Sequence, residues 1–282
     1  VAAGYIQPID DLVKGWEGWD NLYPASQAAA VDPEGRAHCV PTETDTRGIY
    51  YNKKVFEKAG LPTEWQPHTW EEIAEAATTI RDANVDAAGM FMYCGKTQGE
   101  KASMQGFEML LYGTSDTLYN PETKKWVAGS QGFIDTLAFY KRQFDEKLTL
   151  PVSQHLDPNI AEAIQSTMFP AGKLGILIDG SWISNLWAED GAAPWPTWQD
   201  DVGLAQMPTQ NGEEPGLTTL AGGWGLSIPQ HVTDRETAFR FLETLVSTET
   251  LVDYAITDNH ITVRNDVAEV EEYLSYSPAV EY

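Results

Sequence analysis

Basic residues are scarce in this chain of 282 residues. Eighteen lysines and arginines stand against 42 aspartates and glutamates, a formal charge of −24. That excess repels nucleic acid and anionic membrane surfaces. The adjacent lysines, Lys53-Lys54 and Lys124-Lys125, are isolated pairs and offer no local exception. Cysteine is nearly missing: Cys39 and Cys94 have neither the spacing of a zinc site nor that of a C-x-x-C redox pair. One disulfide and two thiols are equally compatible with them. No apolar run is long enough to span a bilayer, which takes about 20 residues. No signal peptide opens the chain, and "VAAGYIQPIDDLV" reads like the middle of a longer sequence, so upstream residues are expected.

Enzyme signatures are also lacking. "GMFMYCGKT" puts five residues between Gly89 and Gly95 where a P-loop has four. "AGSQG" carries Ala128 at the first glycine position of a nucleophile elbow. The histidines at 38, 68, 155, 231 and 260 share no helical spacing and no H-E-x-x-H. There is no G-x-G-x-x-G, and neither a metal nor a cofactor is expected. Paired acids such as Glu71-Glu72, Asp200-Asp201 and Glu213-Glu214 read as solvated faces and loops. A glycosidase would need two carboxylates facing across a cleft, and nothing in the sequence selects such a pair.

What is present is apolar and aromatic: 42% hydrophobic residues, with ten Trp and twelve Tyr, enough for a substantial core. Short strands alternate with helices, which predicts α/β layers. "GIYY" is a strand leading into a helix capped by Asn52 and stopped by Gly60 and Pro62. Thr69 and Glu72 form a capping box before Ile73, Ala76, Ala77 and Ile80. Phe133, Leu137, Tyr140, Phe144 and Leu148 predict the inner stripe of a helix. A helix over "NIAEAIQSTMFPAGK" feeds "LGILI", a buried strand, and a short helix capped by Ser181 follows. "TQNGEEPG" is the most linker-like stretch, "GWGLSIP" reads as a strand, and Thr233 with Glu236 predicts a second capping box before Phe241, Leu242 and Leu245.

Three stretches combine turns, aromatics and charge at strand ends: "TETDTRGIYYNKKVFEKAGLP", "GKLGILIDGSWISN" and "TLAGGWGLSIPQ". With "GYIQPIDDLV" ahead of them and "TAFRFLETLVSTE" behind, their order resembles the extracellular solute-binding proteins of ABC importers, in the sugar-binding branch. The resemblance covers nearly the whole chain. It implies a two-lobed α/β fold of the periplasmic-binding-protein type, with a hinge and a ligand cleft between lobes that close on the solute. One lobe would comprise residues 1–46 plus 207–260, its first strands missing upstream. The other would comprise 47–206 plus 261–282. The implied function is capture of a mono- or oligosaccharide and its delivery to membrane permease subunits, by a non-enzymatic monomer outside the cytoplasm, periplasmic or lipid-anchored. The alternatives are a binder of another solute, such as a polyamine or metal chelate, and a carbohydrate-active enzyme.

A sugar offers an apolar CH face and a rim of hydroxyls. The face suits a flat aromatic, and the rim suits carboxylates and the planar fork of arginine. Trp182, after Gly180-Ser181, and Trp224, after Gly222 and Gly223, are therefore expected to stack on the ligand from the two lobes. The glycines would let backbone approach it closely. Asp45 falls where the family places a sugar-contacting carboxylate, and Arg47 has the flanks of relatives with an arginine in the cleft. Asp179 could cap the following turn or bond a hydroxyl. Glu43, Tyr112 and Arg264 are lesser candidates; Arg264 follows "HITV", where Thr262 replaces a proline common in the family. Trp65 and Trp70 are expected to be structural. Trp16, Trp19, Trp195 and Trp198 lie in loops, and any one of them could extend the aromatic platform.

Overall fold

A computed structural model describes residue 1, residues 3–258 and residues 260–275. Its strands are β1 (Val40–Pro41), β2 (Arg47–Asn52), β3 (Ala88–Phe91), β4 (Tyr119–Asn120), β5 (Lys125–Trp126), β6 (Leu174–Gly180), β7 (Val202–Ala205) and β8 (Gly225–Leu226). Contacts divide the chain into two units, Val1–Thr46 with Ala221–Tyr282, and Arg47–Leu220.

The larger unit is built on the apolar run predicted as a buried strand. All seven residues of β6 are buried, and the sheet runs in the order β3-β6-β2-β7. β3 lies parallel to β6, while β2 runs antiparallel to both β6 and β7. Both faces are covered, which is why the strand sequence does not alternate with polar residues. One side packs Ile49, Met90, Ile176 and Ile178 against Trp70, Ile73 and Ile80. The other packs Tyr50, Phe91 and Leu177 against Phe169, Trp187 and Trp195.

Two helices start where the sequence places their caps. Asn52 accepts the Val55 amide, and Gly60 ends that helix in the left-handed region at φ 79°. Thr69 accepts the Glu72 amide ahead of Trp70–Asp82, and the Glu72 carboxylate reaches back to the His68 amide. Tyr140 and, just past the helix end, Leu148 reach the core as expected, but the helix Gln131–Asp145 turns further residues inward. It buries Gly132, Thr136, Phe139 and Gln143, while Leu137 is 50% exposed. Ser181 is not the cap of the turn after β6; Gly180 holds that place, and a 3₁₀ turn, Ser181–Ile183, comes first.

Residues 207–220 belong with the larger unit rather than with residues 1–46. The linker-like stretch is a hairpin turn folded onto it. Thr218 N donates to Met207 O, Gln210 N to Gly113 O and Trp70 N to Gln210 O, and Met207 joins the core.

In the smaller unit, β1 pairs antiparallel with β8. Its core gathers Ile9, Val13, Val40, Ile228, Phe239, Leu242, Leu251 and Val252. The helix Arg235–Leu245 is capped by Asp234, one residue after the predicted Thr233; this register leaves Phe241 62% exposed. Residues 261–275 pack here too, rather than with the other lobe as expected; the rest of the expected segment 261–282, residues 276–282, lies outside the described residues. Thr44 N donates to Ile261 O, Tyr23 N donates to Val263 O, and Val267 and Tyr273 enter this core. Trp16 and Trp19 pack on the same core. Among the described residues, no helix is long and apolar enough to cross a membrane.

Candidate functional site

In the smaller unit, a seven-residue seam holds Trp224 outward. Thr42 donates through both its amide and its hydroxyl to Trp224 O. The Thr44 hydroxyl donates to Gly222 O, and Gly222 N donates to Asp45 Oδ1 at 2.8 Å. Gly223 is obligatory between them: its φ is +122°, and a Cβ there would lie 2.2 Å from Glu43 O. With its backbone fixed in this way, Trp224 leaves its side chain 75% exposed. That leaves a flat apolar ring open at the surface of this unit.

Beside it lies a cavity of about 170 Å³, walled by Ala25, Ala29, Cys39, Glu43, Gly223 and Trp224. Glu43 is buried, its Oε2 paired with His260 Nδ1 at 2.6 Å. Its Oε1 has no hydrogen-bond partner among the described residues. The seam therefore brings Glu43, Asp45, Gly222, Gly223 and Trp224 together, as the sequence grouped them.

Arg264 is not on that surface. It is 5% exposed; its guanidinium holds Asp266, Val246 O and the Thr248 hydroxyl. Those bonds tie helix ends together inside the smaller unit, which accounts for the arginine without a solute.

In the larger unit, Trp182 is half-buried and lies on Gly180: a Cβ at that glycine would sit 1.8 Å from the indole. Arg47 is the register partner of Gly180 across the β2–β6 ladder, and its guanidinium carbon stands over the Trp182 ring, 4.7 Å from the centroid. Arg47 is anchored as well, by Nη1 to Leu220 O and by its backbone to the Thr219 hydroxyl. Tyr112 ends the short helix Met109–Tyr112 with 43% exposure.

Asp179 is a correction. Its side chain is completely buried and accepts from Tyr93 Oη, Gln105 Nε2, Gln165 Nε2 and Gly180 N at 2.7–2.9 Å. A carboxylate so enclosed has no face left for a solute hydroxyl. Gln105 and Gln165 were not legible as its partners, because they lie 74 and 14 residues away along the chain.

Trp65, Trp70, Trp195 and Trp198 are framework. Trp70 and Trp195 are buried, Trp65 and Trp198 pack on the cores, and the Trp195 indole donates to Asp201. Cys39 and Cys94 are both free thiols. Among the described residues, no three His, Cys, Asp or Glu side chains are grouped to hold a metal.

Several known proteins are similar to this chain in sequence or in fold. The chain is 26% identical over 230 residues to the sn-glycerol-3-phosphate-binding periplasmic protein UgpB of Agrobacterium fabrum, covering 80% of this chain and 49% of the relative. Against UgpB of Rhizobium meliloti it is 25% identical over 238 residues, covering 83% and 51%. The chain spans about half the length of the curated relatives it matches. In fold it is similar to maltose-bound MalE3 of T. maritima, with a TM-score of 0.80 at 22% identity over 99% of this chain and 68% of that one. A solute-binding protein of Thermotoga lettingae bound to α-D-tagatose gives 0.79 at 23% identity, over 95% and 64%. These likenesses place the fold among two-lobed periplasmic binding proteins. Residues 1–251 match the family described as bacterial extracellular solute-binding protein, and the chain belongs to that family.

Proposed function

We propose that this chain captures a mono- or oligosaccharide outside the cytoplasm and delivers it to the permease of an ABC importer, without chemical conversion. The observation that carries the reading is the Trp224 side chain, 75% exposed on a backbone fixed by Thr42, Thr44 and Asp45. A solvent-facing indole on a fixed backbone, beside acidic acceptors, offers both things a pyranose needs, a flat apolar face and hydrogen-bond acceptors at its rim. Glu43, Asp45, Gly222 and Gly223 surround it; within the larger unit, Trp182, Arg47 and Tyr112 are the residues proposed to meet a solute.

Solved structures of similar fold support the sugar class, since two of those named hold maltose and tagatose. A second reading is a glycerol phosphodiester or monoester. UgpB relatives favour it, and Arg47 beside Trp182 is a cation suited to a phosphate. Calorimetry separates the two. Maltose, tagatose, mannobiose and sn-glycerol-3-phosphate are titrated into the chain, and Trp224→Ala is run alongside. The sugar reading expects one-to-one heat with a saccharide that is lost in the variant. Heat with the phosphate alone selects the second reading, and turnover of any saccharide contradicts both.

A further inference from the structure

Asp179 is a fully buried carboxylate with no cation among its partners in the hydrogen-bond set above, and burying such a charge is costly unless several donors meet it. Here four donors do: Tyr93, Gln105, Gln165 and the Gly180 amide. Two of them arrive by an unusual route. Gln105 lies in the π-helical stretch Lys101–Glu108, and Gln165 lies in the π-helical turn Ile164–Met168. π-helical turns are rare, and they recur at functional sites. These two stretches share one feature: each delivers a glutamine to the same carboxylate.

The bonds continue toward the surface. Asp179 Oδ1 fixes the Gly180 amide at 2.9 Å, and Tyr50 Oη donates to Gly180 O at 3.0 Å. Gly180 is therefore pinned on both sides, and it is the residue on which the Trp182 indole rests. Tyr93 stays a donor: burial first, and the Asp179 charge second, push its hydroxyl well above the usual tyrosine range. Its ring in turn carries the Lys101 ammonium at 5.2 Å.

We infer that Asp179 is a positioning residue for the Trp182 platform, gathering Gln105, Gln165 and Tyr93 so that Gly180, and the indole lying on it, hold one orientation before a solute arrives. Preorganised contact surfaces bind more tightly because less ordering is left to do on binding. The consequence for affinity rests on the proposed contact between Trp182 and the solute; the consequence for Trp182 itself does not.

The test labels the tryptophans with fluorine and assigns the Trp182 resonance by its loss in Trp182→Phe. In the intact chain a single sharp Trp182 line is expected. Asp179→Ala should shift and broaden it and leave the Trp224 line in place. Asp179→Asn, which keeps one acceptor for Gly180, should restore most of the sharpness. Gln105→Met, which removes one donor and keeps the carboxylate, should give an intermediate line and covers the case in which Asp179→Ala does not fold. An unchanged Trp182 line in folded Asp179→Ala, or in folded Gln105→Met where the former does not fold, overturns the inference. Maltose and tagatose titrations form the second arm. Folded Asp179→Ala should bind about tenfold or more weakly at unchanged stoichiometry, with Asp179→Asn recovering. Unchanged affinity of the folded fraction overturns the effect on binding. If neither sugar binds the unsubstituted chain, the sugar reading falls, and the fluorine arm still decides the positioning role.

Discussion

Arg47 and Trp182 form a cation–π pair within the larger unit, the guanidinium carbon 4.7 Å from the ring centroid. The pair exists because Arg47 faces Gly180 across the ladder and Trp182 folds back over that glycine. Arginine stacks on an indole as a plane, and lysine does not. Arg47→Lys is therefore expected to free the indole while keeping the charge. Thermal unfolding should show a loss of about 1 kcal/mol or less, and acrylamide should quench the Trp182 component of the emission more readily. Unaltered quenching would show that the pair does not hold the ring.

Gly223→Ala tests the seam under Trp224. The new Cβ meets the Glu43 carbonyl at 2.2 Å on a backbone at φ +122°. The strain and the displacement together should cost about 1–3 kcal/mol, read as a lower denaturant midpoint. Trp224→Ala should do the opposite: stability within about 0.5 kcal/mol of the parent, because the side chain is largely in water, with solute binding lost.

His155 predicts an acid sensitivity. It is buried, stacked on Phe91, with Nδ1 at the Cys94 thiol and Nε2 at the Thr149 hydroxyl. Burial lowers its pKa from 6.5 to about 4. The unfolded chain thus takes up the proton first as pH falls, so stability drops from about pH 6.5 toward pH 4 and levels below. Burial raises Asp32 and Asp201, but their partners together hold both below the usual aspartate value of 3.8, so they add a separate fall at lower pH, below that value. His155→Gln isolates the histidine share: its unfolding midpoint should vary less with pH across that window than the parent's. An identical slope would remove His155 from the account.

The two cysteines should titrate as two thiols in the denatured, unreduced chain. Burial pushes Cys94 up to about 11 and raises Cys39 as well. Both should therefore react slowly with alkylating reagents in the native state.

Local chemistry made much of the fold readable. Asn52, Thr69 and Gly60 act where their types predict, because caps depend on a few adjacent residues. The apolar β6 was legible for the same reason. The inner stripe of Gln131–Asp145 was legible in part: Tyr140 and Leu148 reach the core, but Leu137 is exposed, because tertiary packing turned Thr136, Phe139 and Gln143 inward. The linker-like "TQNGEEPG" has linker composition, and only the bonds of Met207 and Gln210 to distant residues show it to be a turn of the larger unit. At the candidate site, the sequence grouped Glu43, Asp45 and Gly222–Trp224 through two short motifs. Asp179 and Arg264 carry the right atoms for a sugar, but burial, which no spacing reveals, commits both to internal bonds.

Calorimetry with Trp224→Ala and Trp182→Ala tests the central claim most directly. The account predicts one-to-one binding of a saccharide by the parent chain, and loss of that binding in each folded variant. Parent-like saccharide affinity in both folded variants would contradict it.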